Sequence, residues 1–505
     1  MKNLAVCCDG TWNSPEERAG GVPVPTNVVR LYNALEDVDA HGTPQLKYYH
    51  PGVGTSGGWL KRLWAGGVGA GLDRNVMSAY RWLGEHYEPG DRMFILGFSR
   101  GAFTARSLGG MISLCGLLDL HGLDEAETWK RVNAVYQQGY RKSVRFAGEP
   151  GWFHPGGTVP IHFLGVWDTV GALGIPDDMG ILDLFDSPKN YRFHNTALGA
   201  NVVHARHAVA LDEMRASFTP TLWTGLENRP NVKQLWFPGV HCDVGGGYLQ
   251  KGLSDDTLRW MMDEAAPLGL ALKPAMRGQL RPDFQDVLHD SATGVFKLFR
   301  TLPRSIPPLA PAPQSDDLHP SALERQASPP IAQAVYHPTA LLKPGEQKTL
   351  AVFAAQHWNA TGIYLERGAR YRFSASGEWL DAKIACGPGG PRTRFHPAYL
   401  IAGGWALLVS LYRGITGQRD AKLGMRRAEK MPWFALVGAI ANGGNPQIDG
   451  TPQPLESFLI GNGCDYPAPG KSIDKPGYLY GYANDLWSMY GNNRGSVTLT
   501  VERLS

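Results

Sequence analysis

The chain reads as an α/β domain with a mostly parallel sheet, followed by a smaller all-β domain that carries a helical insertion. Three observations predict this. Short apolar runs alternate with helical apolar spacing through the first 120 residues. A stretch with eight prolines between 303 and 330 ends that texture. Beyond it come short alternating strands bounded by Gly, Asn and Pro.

The elements follow in order. "LAVCC" (4–8) is a buried strand, "NVVRLYNAL" (27–35) a helix and "LKYYH" (46–50) a strand ended by glycines. "LDRNVMSAYRWLGEHY" (72–87) is a helix stopped by "EPGD". "RMFILGF" (92–98) is a strand, and "RGAFTARSLGGMISLCGLL" (100–118) a helix with Phe103, Leu108, Ile112 and Cys115 on one side. "IHFLGVW" (161–167) and "VKQLWF" (232–237) add strands, with a helix-like stretch, "NVVHARHAVALDEM" (201–214), between them. Such alternation with short connections implies a parallel sheet covered on both faces. The first domain spans 1–300. Residues 301–335 form a Pro-rich linker, extended or lying on the surface, because proline at that density blocks helices and central strands. Residues 336–505 hold "KTLAVFAA", "GIYLERGARYRFSASGEWL", "FALVGAIANGG" and "GSVTLTVERL", which read as strands. An apolar insertion at about 395–430 interrupts them.

The 505 residues are 43% hydrophobic and 19% charged, enough for a large core. Net charge is +3, from 49 basic and 46 acidic residues, which gives no electrostatic case for nucleic acid as the main partner. The six cysteines are sparse and lack zinc-ligand spacing. They read as free, mostly buried thiols of a protein made in a reducing compartment. The N-terminal apolar run is too short for a signal peptide, so synthesis in the cytoplasm is expected, without an ordinary cleaved signal.

"GFSRG" (97–101) fits the G-x-S-x-G nucleophile elbow and falls between a predicted strand and a predicted helix. That turn is so sharp that side-chain bulk at either glycine would clash, and it lifts the Ser99 hydroxyl above the C-terminal edge of the sheet. The Arg100 N–H then stands at a helix N-terminus facing the same point. A nucleophilic serine needs a base, and the base an orienting carboxylate, in the order Ser, acid, His. Asp168 ends the next strong strand and His241 follows another, so both belong on the Ser99 edge. Asp243, Asp212 and Glu213 compete for the acid's role. A second oxyanion donor is expected from the N–H of Gly10 or Thr11 in "DGTWN", with "GVGTSGG" (52–58) as the rival loop. No cofactor is needed for this chemistry.

In the insertion, "PAYLIAGGWALLVSLY" (397–412) is uncharged and is followed by Arg413, Arg419 and Lys422. It is too short to span a bilayer. It suits either a core helix between the domains or an interfacial helix. In the second case Trp405, Leu408 and Leu411 would enter lipid and the arginines would meet head groups.

At "CCDGTWN", "GFSRGAFTAR", "VWDTVGALG", "ALDEMR" and "FPGVHCDVGGGY" the chain resembles the α/β-hydrolase domain of the first family of type VI secretion lipase effectors, over roughly residues 1–300. The resemblance implies an α/β-hydrolase-like sheet and a Ser–Asp–His esterase acting on membrane phospholipid. It places those roles on Ser99, Asp168 and His241, with secretion into a target cell and with secretion-apparatus and immunity partners. "FALVGAIANGG" and "YANDLWSMYGNNRGSVTLTV" resemble the PA-IL-type galactose-binding lectin, a β-sandwich. That likeness implies a glycan partner and calcium held by Asp485, Asn492 and Asn493, oxygen ligands of the kind calcium takes. Phospholipase activity is the expectation. Two others stand beside it: a carbohydrate-binding or docking protein with an incidental hydrolase fold, and a soluble esterase for a non-lipid ester.

Overall fold

A computed structural model describes residues 1–10, 18–19, 21–52, 68–145, 151–154, 159–171, 197–298, 300–310, 315–391, 427–447 and 451–505. Its first half is built on β1 (Asn3–Cys8), α1 (Asn27–Ala34), β2 (Gln45–His50), α2 (Val68–His86), β3 (Arg92–Phe98) and α3 (Arg100–Cys115). It continues through α4 (Glu125–Ala134), β4 (Ile161–Trp167), β5 (Val202–Ala210), β6 (Val232–Phe237), α5 (His241–Gly245) and α6 (Gly252–Ala265). The six strands form one sheet in the order β2-β1-β3-β4-β5-β6, every pair parallel.

Strand alternation divides the core into two layers. Leu4, Val6 and Cys8 of β1 pack with Tyr80, Leu83, Leu108 and Ile112 on the α2/α3 face. Ala5 and Cys7 pack with Val28, Leu31, Leu258 and Met261 on the α1/α6 face. A sheet buried on both sides needs strands that are apolar throughout, and all six residues of β1 are buried. After β1 the chain goes to one side for β2 and then returns past β1 for β3. The C-terminal ends of β1 and β3 therefore flank a crevice at a topological switch point, where open α/β sheets bind ligands.

The helix expected over 201–214 is a strand. Val202–Ala210 pairs with β4 and β6 in the sheet interior, so His204 and His207 lie on a strand and Asp212 just beyond its end. "VVHARHAVA" has apolar residues at helical as well as strand spacing, and burial between two strands resolved the ambiguity.

Residues 301–335 also depart from a surface linker. Ile306, Leu309, Leu318 and Ala322 are buried with Val209 and Trp236 of the sheet and with Tyr336 and Tyr478 from further along the chain. Pro320 opens a helix, α7 (Pro320–Ala327), where a missing N–H costs nothing. The prolines stiffen this segment while its apolar side chains fill the space between the two halves.

The second half is a two-sheet antiparallel sandwich. One sheet holds β8 (Asn359–Leu365), β14 (Gly477–Ala483), β11 (Leu436–Ala441) and β12 (Glu456–Leu459) in that spatial order. The other centres on β9 (Tyr371–Asp381) and β15 (Arg494–Arg503), with β7 (Gln347–Phe353), β10 (Ile384–Gly387) and β13 (Gly463–Tyr466) beside them. Val352, Ile363, Phe373, Trp379, Leu436, Leu479 and Leu499 fill the space between the sheets. Among the described residues no helix is long and apolar enough to cross a membrane, and the six cysteines are free.

Candidate active site

Ser99 stands between β3 and α3 at φ 58°, ψ −124°, a conformation that a non-glycine residue holds only when its surroundings force it. The flanking glycines are that force. A Cβ on Gly97 would lie 2.4 Å from the Gly101 carbonyl oxygen. One on Gly101 would lie 2.2 Å from the Cys8 carbonyl oxygen and 2.5 Å from that of Asp9, at the end of β1. The Ser99 N–H donates to the Trp167 carbonyl at 3.1 Å, tying the elbow to the end of β4. Arg100 opens α3, so its N–H lies in the first turn at the helix N-terminus.

Asp168 follows β4 with φ 35°, a second strained position on the same edge. Its N–H donates to the Ala208 carbonyl at 2.7 Å. Its Oδ2 accepts the His241 Nδ1–H at 2.6 Å, and its Oδ1 accepts the Ala210 N–H at 3.0 Å. The Arg304 guanidinium adds two more bonds, 2.7 Å to Oδ1 and 2.9 Å to Oδ2. Burial alone would push this carboxyl up. The Arg304 charge, then the hydrogen bonds from His241 and Arg304, outweigh burial and hold it well below the usual carboxylate range.

His241 opens the short helix α5 after β6. Its ring lies between Phe98, with centroids 4.6 Å apart, and Phe218, edge-on at 4.9 Å. Burial lowers its pKa and the Asp168 bond offsets part of that, so the ring is neutral near pH 7 with Nδ1 protonated and Nε2 a free base.

The competing acids have other duties. Asp243 accepts from the Val240 and His289 N–H groups at 3.0 and 3.2 Å and from the His289 ring at 2.6 Å, closing its own loop. Asp212 accepts from Gly239 N, Tyr336 Oη and His337 Nε2 at 2.7, 2.8 and 2.7 Å. Glu213 pairs with Arg215, takes the Ser291 hydroxyl at 2.7 Å and receives the His241 N–H at 3.3 Å.

Gly10, one of the two expected oxyanion donors, makes a bond of its own. Its N–H donates to Asp9 Oδ1 at 2.7 Å. Thr11 and residues 53–58 of the rival loop lie outside the described residues, as do Trp405, Leu408 and Leu411.

In the sandwich, Asn493 meets Asp485, while Asn492 meets Asp381. Asn493 Nδ2 donates to Asp485 Oδ2 at 3.0 Å, and Asn492 Nδ2 donates to Asp381 Oδ1 at 3.3 Å. The Oδ1 atoms of Asn492 and Asn493 are buried and lack hydrogen-bond partners among the described residues. Burial, with Asp381 nearby, pushes the Asp485 carboxyl up to about 6. Among the described residues no three His, Cys, Asp or Glu side chains form a metal-sized group, so any cation here would rely on amide oxygens.

Two residues escaped sequence reasoning. Arg304 sits in the segment dismissed as linker, 136 residues from Asp168, and Asp381 lies 111 residues from Asn492. No spacing signal links either pair.

Residues 2–264 match the family model described as "T6SS, Phospholipase effector Tle1-like, catalytic domain". The Saccharomyces cerevisiae uncharacterized protein YEL023C is 33% identical over 258 residues, 47% of this chain and 35% of that protein. The chain thus spans about a third of that curated relative's length. Among solved structures, an uncharacterized protein from Pseudomonas aeruginosa is 20% identical with TM-score 0.33, covering 56% of this chain and 49% of that one. The Tle1 effector bound to the VgrG spike of the type 6 secretion system is 19% identical with TM-score 0.31, covering 50% and 52%. The PllA-like lectin domain at the EclA N-terminus is 16% identical with TM-score 0.19, covering 31% of this chain and 94% of that domain.

Proposed function

The chain belongs to the Tle1-like family of type VI secretion phospholipase effectors, and from that premise we propose that it is a serine hydrolase cleaving the carboxylic esters of membrane phospholipids in a target cell. Ser99 Oγ attacks the ester carbonyl as His241 Nε2 takes its proton. Asp168 holds the imidazole in the Nδ1–H tautomer and stabilises the imidazolium. The Arg100 N–H receives the developing oxyanion. A second donor comes from the 9–11 loop, either Thr11 or a Gly10 N–H that has left Asp9. Collapse of the tetrahedral intermediate expels the lysophospholipid alkoxide, which takes the proton from His241. Water then attacks the acyl-serine by the same relay and releases the fatty acid. No cofactor enters this route.

The observation that carries the reading is the 2.6 Å Asp168–His241 bond on the same sheet edge as a serine at φ 58°. Ser99→Ala tests it: fatty-acid release from phosphatidylethanolamine/phosphatidylglycerol vesicles should vanish while the melting temperature stays. Secretion-apparatus and immunity partners belong to the same proposal, as family properties.

For the sandwich we infer a surface-orienting role with calcium and glycan as ligands. The unpartnered Asn492 and Asn493 oxygens beside a raised Asp485 support it, since a divalent cation satisfies all three. Calcium there would supply coordination for sugar hydroxyls. The insertion is proposed to dock on lipid through Trp405, Leu408 and Leu411.

A further inference from the structure

We propose that Arg304 is a positioning residue of the hydrolytic site, fixing the Asp168 carboxylate for His241 and balancing its charge, so that the segment joining the two halves sets the basicity of the catalytic imidazole. This rests on the Ser99–His241–Asp168 reading above.

The geometry is that of a clamp. The Arg304 side chain is 3% exposed, and its fork meets both oxygens of Asp168. A planar guanidinium matches a carboxylate in two-pronged fashion and so dictates the carboxylate plane. The same group donates to the Ala210 carbonyl at 2.6 Å and to the Phe218 carbonyl at 2.6 Å. Ala210 itself donates to Asp168, and the Phe218 ring lies against His241. One side chain thus ties the acid to two of the backbone segments around the base.

Charge explains why a cation belongs there. A buried carboxylate bonded to an imidazole stabilises the imidazolium and raises its pKa, and a cation on that carboxylate offsets part of the rise. Among the described residues, Asp168 and Glu213 raise the His241 pKa and Arg215 lowers it, while Arg304 acts on Asp168 directly. Arg215 pairs with Glu213 and stacks on the Phe218 ring. His207, on β5, adds no charge: burial first, then Arg106, keep it neutral, with its pKa lowered to about 3. Removing Arg304 therefore leaves one negative charge in excess beside the imidazole.

Arg304 is held from both halves. Leu302 N donates to the Met214 carbonyl at 2.7 Å, while Trp358 of the sandwich donates from Nε1 to the Thr301 carbonyl at 3.1 Å. Arg304 also lines a narrow crevice with Leu222 and Trp236 on one side and Gly443, Gln453 and Leu455 on the other. How the sandwich seats thus bears on the acid.

The test uses the full chain, a soluble chromogenic short-chain ester and pH profiles of kcat and kcat/KM, with melting temperatures alongside. Arg304→Met should lower kcat ~10- to 100-fold with KM little changed. It should also move the acid limb upward by about half a pH unit or more, because the imidazole becomes more basic. Arg304→Lys, which keeps charge without the fork, should lose kcat but leave the acid limb near its wild-type position. A Met variant with a lower melting temperature, an unmoved limb and uniformly scaled activity would make Arg304 merely structural. Should that variant not fold, Arg304→Lys decides: lost kcat at an unmoved limb, with KM and melting temperature both unchanged, supports the clamp, whereas wild-type kcat, or a kcat loss that comes with a lowered melting temperature, overturns it. A fully active Ser99→Ala would instead bring down the underlying reading, whatever Arg304 does.

Discussion

Asp168 and Asp485 are buried alike, 0% and 1% exposed, yet their carboxyls move in opposite directions. Asp168 receives donors from Ala210, His241 and twice from Arg304, and is held well below the usual range despite its burial. Asp485 receives donors from Leu486 N and Asn493 Nδ2 and has Asp381 for a neighbour; burial and that neighbour push it up to about 6. Burial is common to both, so the supply of positive charge and donors separates them. The first carboxylate is completed by the chain itself and suits preorganised catalysis. The second keeps a raised carboxyl, with the Asn492 and Asn493 oxygens nearby lacking hydrogen-bond partners among the described residues.

The largest effect should come from breaking the complete site. Ser99→Ala is expected to remove at least ~10³-fold of ester turnover, with Asp168→Asn nearly as severe, read as fatty-acid release. Severe loss in Asp243→Asn beside a mild Asp168→Asn would reassign the acid and undo the contrast.

Next comes the elbow's packing. Gly101→Ala drives a Cβ into backbone oxygens at 2.2 and 2.5 Å that cannot move aside. It should cost about 1–3 kcal/mol or more in urea unfolding. Gly387→Ala in the sandwich meets nothing within 4 Å and should stay within about 0.5 kcal/mol of wild type.

The under-supplied site gives a smaller, ligand-dependent effect. Millimolar calcium should raise the melting temperature by about 2–4 °C, and Asp485→Ala should abolish the rise. Because the folded Asp485 pKa is raised, its ionised form destabilises the fold above about pH 6, and protonation relieves this as pH falls. Calcium needs the ionised form, so its increment should shrink as pH drops through about 6. An increment unchanged at pH 5 would place the cation elsewhere.

Smallest should be the effect of Trp405→Asp with Leu408→Asp: roughly several-fold loss on vesicles, none on a soluble ester. Equal loss on both substrates with a lower melting temperature would mark the segment as core.

Much of the first half was legible because its patterns are local. β3 and β4 begin and end where apolar runs do, and the elbow is written in five consecutive residues. β5 was misread because "VVHARHAVA" satisfies two periods, and only its neighbours choose between them. In the second half β12 and β13 are four residues each, too short to carry a period. The 301–335 segment misled because proline density signals local stiffness and says nothing of what the intervening Ile306, Leu309 and Leu318 pack against.

Residue order alone was enough to order the strands and helices of the first half apart from β5, to mark Ser99 between its glycines, and to put Asp168 and His241 after strands of one sheet. Those features depend on spacing of two, three or four residues and on the sterics of single glycines, which neighbours in the chain express. Folding was needed to select Asp168 over Asp243 as the partner of His241 and to bring Arg304 onto Asp168 across 136 residues of chain. Such pairs arise when a sheet closes and two halves dock. Their energy comes from charges and donors meeting in a low dielectric, and nothing in the intervening sequence has to record that they will meet.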